Sequence, residues 1–175
     1  MLSAGRMLLR DADVSQPGVM ARNERLAGYM RAIGKALHLG PSILEKLQLA
    51  GMLHNYSDMV GKSPDRTPEE KVSDTVDLLA QETFFPEIED IIAYQLERYD
   101  GSGPKGLLGA ELPLEGRIFQ AAQELEEALG ENRAPSAVSA KLVEMTREAG
   151  KKYDPEVVKA VSDAERAGTL SMPLE

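Results

Sequence analysis

Apolar residues recur every three or four positions along almost the whole chain, which is the spacing of amphipathic helices; no stretch alternates as a half-buried strand would. Leu26, Tyr29, Met30, Ile33 and Leu37 make one stripe between about 21 and 39, ended by Gly40-Pro41. Ser42, with Glu45 three residues on, predicts a capping box for a helix that runs through Leu44, Leu47 and Leu53 into His54. Residues 59–66 are rich in Gly, Ser, Pro and charge and read as a loop. Thr67-Pro68-Glu69-Glu70 reads as a cap, a first-turn proline and the glutamate that completes a capping box. A helix is expected after Pro86, with Ile88, Ile91, Ile92 and Leu96 on its apolar side. A long turn follows from Asp100 to Gly106. Further helices are predicted from about 114 to 129, from about 136 to 149, and from the cap Asp154-Pro155 onward.

The expected fold is therefore all-α, with about seven helices around one core. The chain divides into an N-terminal segment, 1–20, helical in part, a domain over 21–167 and a tail, 168–175, whose closing Leu174-Glu175 resembles a tag scar. At 175 residues there is room for one sizeable core. No cysteine is present, which excludes disulfides, thiolate metal sites and cysteine nucleophiles, and makes the reducing cytoplasm the default compartment. No apolar run is long enough to span a bilayer, so no membrane partner is expected. A net charge of −9 repels nucleic acid, and with no Trp the chain is poor in stacking platforms.

The segment Leu96-Glu97-Arg98-Tyr99-Asp100-Gly101-Ser102-Gly103-Pro104-Lys105-Gly106-Leu107 resembles the signature of the HD-GYP family. Gly109, Leu112-Pro113 and Gly116-Arg117-Ile118 continue that pattern, Tyr153-Asp154-Pro155-Glu156-Val157-Val158 resembles its closing helix, and Ala50-Gly51-Met52-Leu53-His54-Asn55 resembles its upstream His-Asp segment. The order holds over roughly 21–161. The resemblance implies an HD-superfamily helical fold and, in active members, metal-dependent cleavage of cyclic di-GMP by transition metals held on histidines and aspartates.

Carried over position by position, that metal site is eroded. The first histidine falls near Arg22, whose guanidinium has no lone pair to give. His54 is kept. The bridging aspartate is Asn55, and the lysine that closes the same motif is Asp58. A later histidine falls near Lys71, and the paired histidines before the turn are Gln95 and Leu96. The last aspartate falls at Gln123 counting forward and at Glu124 counting back. The Gly-Tyr-Pro triplet has lost its tyrosine, so Gly103 runs straight into Pro104.

The residues themselves suggest plain roles for the remainder. His54 reads as a histidine hydrogen-bonded to a neighbour, with Asp58 one helical turn on as the candidate, and His38 as a cation at a helix end. Glu97, Asp100 and Glu124 could form an all-carboxylate Mg or Ca site, but read more simply as a Glu97-Arg98 charge pair, an acceptor for turn amides and part of a solvated acidic face with Glu126 and Glu127. Gly101, Gly103 and Gly106 supply unusual backbone angles.

The expected function is that of a catalytically inactive HD-GYP-like domain, a pseudo-enzyme without metal or cofactor, acting as a protein-interaction or scaffold module in bacterial cyclic di-GMP signalling. The resemblance implies a diguanylate cyclase or receiver domain as partner. Tyr99, Gly103, Pro104 and Lys105 are the candidate docking residues. Two alternatives stay open: a non-hydrolysing cyclic di-GMP sensor using Arg22, Lys71 and Arg98, and a residual metal-dependent phosphohydrolase.

Overall fold

The computed structural model describes Met7 and residues 17–61, 65–81, 87–131 and 134–171. The expectations for most of segment 1–20, for Pro86 and for Leu174-Glu175 lie outside the described residues. Among the described residues the fold is all-helical. There are eight α-helices and two 3-10 segments, Gly109–Glu111 and Thr169–Ser171, and the only extended pairings among the described residues are isolated bridges at Asp100–Leu108 and Ala149–Tyr153.

Helix α1, Val19–Ala36, buries Asn23, Leu26, Ala27, Tyr29, Met30, Ala32, Ile33 and Gly34. These residues recur at helical spacing on one face, which packs most extensively on α2, Pro41–Leu53, and also on α6, Leu114–Leu129, and α8, Pro155–Arg166. Past α1, His38 takes a left-handed φ of 58°, and its amide bonds to Lys35 O while that of Leu39 bonds to Gly34 O. The chain thus reverses with the last carbonyls satisfied.

In helix α2 every residue from Leu47 to Leu53 is buried. It begins two residues earlier than expected. Gly40 is the N-cap and Pro41 the first helical residue, so the Ser42–Glu45 box does not form. Proline at the first position has its φ already set for a helix and lacks an amide that would need capping. The expected box does appear at α4, Pro68–Leu79, where Glu70 N donates to Thr67 Oγ1 and Thr67 N donates to Glu70 Oε2 at 2.8 Å. Between α2 and α4 lies the short helix α3, Tyr56–Met59, in a stretch expected to be loop only from Met59.

The helix expected after Pro86 is only the four-residue α5, Glu89–Ile92. Ile88, Ile91 and Ile92 are buried as the pattern required. Beyond them the amides of Tyr94, Gln95 and Glu97 bond three residues back rather than four. The chain tightens there because Gln95 and Glu97 are held by other segments. Helices α6, α7, Pro135–Arg147, and α8 match their predicted spans closely. Asp154 caps α8 by accepting from Glu156 N at 2.7 Å. Leu26, Met30, Ile33, Leu47, Met52, Leu53, Leu125 and Phe119 fill one core; burial of each such side chain contributes about 1.5–3 kcal/mol.

Candidate functional site

His54 ends α2. Its Nδ1 lies 2.9 Å from Gly51 O, and since a carbonyl can only accept, Nδ1 carries the proton and Nε2 the lone pair. The ring meets Phe119 edge-on, with centroids 5.9 Å apart. The residue keeps some accessible surface, but the imidazole is enclosed by protein, and burial, with Arg22 nearby, pushes its pKa down to about 4. The hydrogen-bond partner is thus Gly51, not Asp58. Asp58 instead pairs with Lys71 at 3.1 Å and acts on His54 only through its charge.

A pH dependence follows. The unfolded chain protonates His54 near its ordinary 6.5, and the folded protein only near about 4. Between those values the unfolded state binds more protons, so stability should fall as pH drops through this window. Denaturant unfolding at steps across the window should show that slope, and His54→Gln should flatten it. An unchanged slope in the variant would mean that the imidazole is not held neutral.

Around His54 the side chains are tied to one another by amides. Asn23, fully buried, donates through Nδ2 to Met52 O at 2.8 Å and to Asn55 Oδ1 at 2.7 Å. Gln95 Nε2 donates to His54 O at 3.2 Å. Asn23 was invisible to sequence reasoning; only its buried position on α1 marks it. Asn55 and Gln95 therefore do gather at His54, with Arg22 near enough to act on it through its charge, whereas Lys71 is drawn off to Asp58 and Leu96 lines a separate cleft.

Gln95, Leu96, Gln123 and Glu124 meet with Glu97, Arg98, Gln120 and Glu127 in a cleft of about 190 Å³. Both candidates for the last aspartate position thus line it. Burial pushes the Glu124 carboxyl up, but Lys152 at 2.6 Å and Lys141 at 3.3 Å outweigh it and hold it below its ordinary value. The acidic cluster is not a solvated face. Glu126 is buried and takes a forked hydrogen bond from Arg25, Glu124 is held by two lysines, and Glu127 is left exposed.

These donors do not suit a transition-metal pair. One imidazole, two carboxamides and a guanidinium do not supply the bridging anions and several neutral imidazoles that such a pair needs. Among the described residues no three His, Asp or Glu side chains converge well enough to hold an ion.

The glycine turn has a different logic. Gly101 and Gly106 do adopt left-handed φ of 75° and 66°. Gly103 does not; a Cβ there would lie 2.6 Å from Glu97 Cα, so it is glycine for close approach. Glu97 is buried and caps the turn by accepting from Lys105 N at 2.8 Å, and Arg98 pairs with Asp100 rather than with Glu97. Ser102, through hydroxyl and amide, and then Arg98 pull the Asp100 carboxyl down to about 2. Pro104 and Lys105 are exposed, with Lys105 Nζ over the Tyr94 ring at 4.5 Å. Tyr99 is half-buried and Leu108 is 61% exposed, an apolar residue that sequence reasoning passed over.

Two distant motif pieces meet. Arg117 on α6 forms an ion pair with the α8 cap Asp154, both largely buried. The pair docks one helix on the other.

No curated protein matches the chain. A family model described as HD domain matches residues 6–157, most of its length. With that match over an all-helical fold in which His54 ends a buried helix, the chain belongs to the HD domain family.

Proposed function

We propose that this chain is a degenerate, HD-GYP-like member of that family which has no hydrolytic activity and serves as a protein-interaction module in cyclic di-GMP signalling. The observation that carries the reading is the Asn23–Asn55 hydrogen bond beside His54. Where an active member of the resembled family needs a bridging carboxylate, this chain has an amide whose oxygen is already engaged by another amide. Among the described residues the His54 lone pair has no cluster of fellow ligands, and without metal-activated hydroxide a phosphodiester meets no nucleophile there.

The interaction surface is the turn around Pro104 and Lys105. It borders a groove of about 250 Å³ lined by Val72, Val76, Ala93 and Leu96. Tyr99 and Leu108 flank the turn in the chain and Leu108 is exposed, whereas Gly103 serves the turn's packing. The partner implied by the resemblance is a diguanylate cyclase or receiver domain. The sensor alternative has less support: Lys71 and Arg98 are paired with Asp58 and Asp100, which leaves Arg22.

Three measurements test the proposal. Protein produced in metal-supplemented medium should carry no stoichiometric Fe, Mn or Zn, and incubation with cyclic di-GMP and Mn or Fe(II) should release no linear product. Turnover abolished by His54→Ala would overturn the reading. Against a diguanylate cyclase or receiver partner, Pro104→Ala with Lys105→Glu should weaken binding by about 1–2 kcal/mol while the thermal midpoint stays unchanged. Unaltered affinity would place the interface elsewhere.

A further inference from the structure

A cavity of about 360 Å³ opens between α2, α5 and the start of α6. Its apolar lining is Ile43 of α2, Ile91 of α5, Tyr94 just past that helix and Pro113 ahead of α6. Ile91 is buried and the other three keep part of their surface accessible. The volume lies within the roughly 300–1,000 Å³ of pockets that take up ligand groups, and exceeds the groove of about 250 Å³ beside Pro104. Tyr94 borders both surfaces: it lines the cavity, and Lys105 Nζ of the glycine turn stands 4.5 Å from its ring centroid. An ammonium is thus already held against this ring.

Charge narrows the occupant. Glu87, Asp90 and Glu115 line the cavity together with a single cation, Lys46. Lys46 Nζ lies 2.7 Å from Glu87 Oε2, so those two charges answer each other. Asp90 and Glu115 have no ion-pair partner among the described residues, and Arg117, close to Glu115 in the chain, is committed to Asp154. Asp90 is exposed and Glu115 half-buried. Two uncompensated carboxylates beside an apolar cavity, on a chain of net charge −9, disfavour phosphates, anionic lipid and a second copy of the same chain. A divalent cation would find few free carboxylates and leave the apolar lining unused.

We propose that this cavity docks a basic segment of a partner protein, with an apolar side chain of that segment entering between Ile43, Ile91, Tyr94 and Pro113 while flanking lysine or arginine side chains meet Asp90 and Glu115. The apolar side chain supplies most of the affinity. The charges select the partner and speed the encounter, because complementary fields steer association more than they tighten it. Asp90 and Glu115 are carried by different helices, so a segment with two cations engages both elements. The inference goes beyond the Pro104 and Lys105 surface, which presents a cation where this one presents anions.

The test titrates the labelled full chain at low salt with the peptide acetyl-Gly-Lys-Leu-Lys-Gly-amide and reads amide chemical shifts. Residues 43–46, 87–94 and 113–116 should respond saturably. A counterpart with glutamate for both lysines should not saturate, and one with glycine for leucine should bind about ten-fold more weakly. Asp90→Asn combined with Glu115→Gln should weaken the parent peptide by about five-fold with the thermal midpoint retained. The charge-matched pair Glu127→Gln with Glu131→Gln, exposed at the far end of α6 and just beyond it, should leave the affinity unchanged. No saturation up to about 10 mM peptide overturns the proposal. Equal losses in the two double variants would reduce the effect to a general attraction between a basic peptide and an acidic chain, and also overturn it. So would equal binding of the glycine counterpart, since no side chain would then enter the cavity. Displacement of the peptide by an equal concentration of 1,5-diaminopentane would assign the site to a free amine instead. The readout involves no cyclase or receiver domain, so its failure leaves the Pro104 and Lys105 reading standing.

Discussion

Arg25→Met should cost about 3–5 kcal/mol of folding stability, the scale expected when one partner of a buried ion pair is removed and the other is left uncompensated. Arg25 on α1 clasps Glu126 on α6, with Nη2–Oε1 at 2.8 Å and Nε 3.1 Å from both oxygens. The Glu126 side chain is 4% exposed. With methionine opposite, that carboxylate keeps its desolvation and loses its counter-charge. Adding Glu126→Leu should recover most of the loss, because an apolar pair of similar volume suits a buried position. Urea unfolding of wild type, both single variants and the double closes the cycle. A loss below about 1 kcal/mol in Arg25→Met would show that the pair behaves as a surface ion pair.

Gly51→Ala should destabilise the protein by about 2 kcal/mol, a thermal midpoint drop of roughly 4–8 °C at this chain length. A Cβ at position 51 would stand 2.7 Å from Ala27 Cα and 2.9 Å from Ala27 N. Backbone cannot rotate away, so α1 and α2 would have to separate along the most extensive helix contact of the fold. Gly34→Ala is the matched control. Its Cβ would also come within 3 Å of neighbours, but these are Leu44 Cδ2 at 2.8 Å and Leu47 Cδ1 at 2.9 Å, the ends of flexible side chains. Both changes gain up to about 1 kcal/mol of helix propensity, which should leave Gly34→Ala near neutral. Equal behaviour of the two variants would mean that the helices can part freely at residue 51.

Helix-forming signals that act within a few residues were legible. The Thr67–Glu70 box and the Asp154 cap each need only a side chain and the amides two or three positions on, and both formed. The Ser42 cap failed because Pro41, one residue away, offered a better start. The segment after Ile92 failed as a helix for a long-range reason: Gln95 donates to His54 O and Glu97 accepts from Lys105 N. Neither partner can be read from the local pattern.

The sequence by itself determined the all-helical class, most helix spans and the buried faces, since these follow from residue type and spacing. Only the tertiary structure decided which partners the polar side chains take. His54 turned to Gly51 rather than Asp58, Arg98 to Asp100 rather than Glu97, and Glu126 into the core on Arg25. Gly103 proved a matter of close packing, not of backbone angle. Each of these is a choice among several chemically adequate partners, and a hydrogen bond or ion pair goes to whichever group the packed helices bring within about 3 Å. That distance is set by the whole core, so no local reading of the chain contains it.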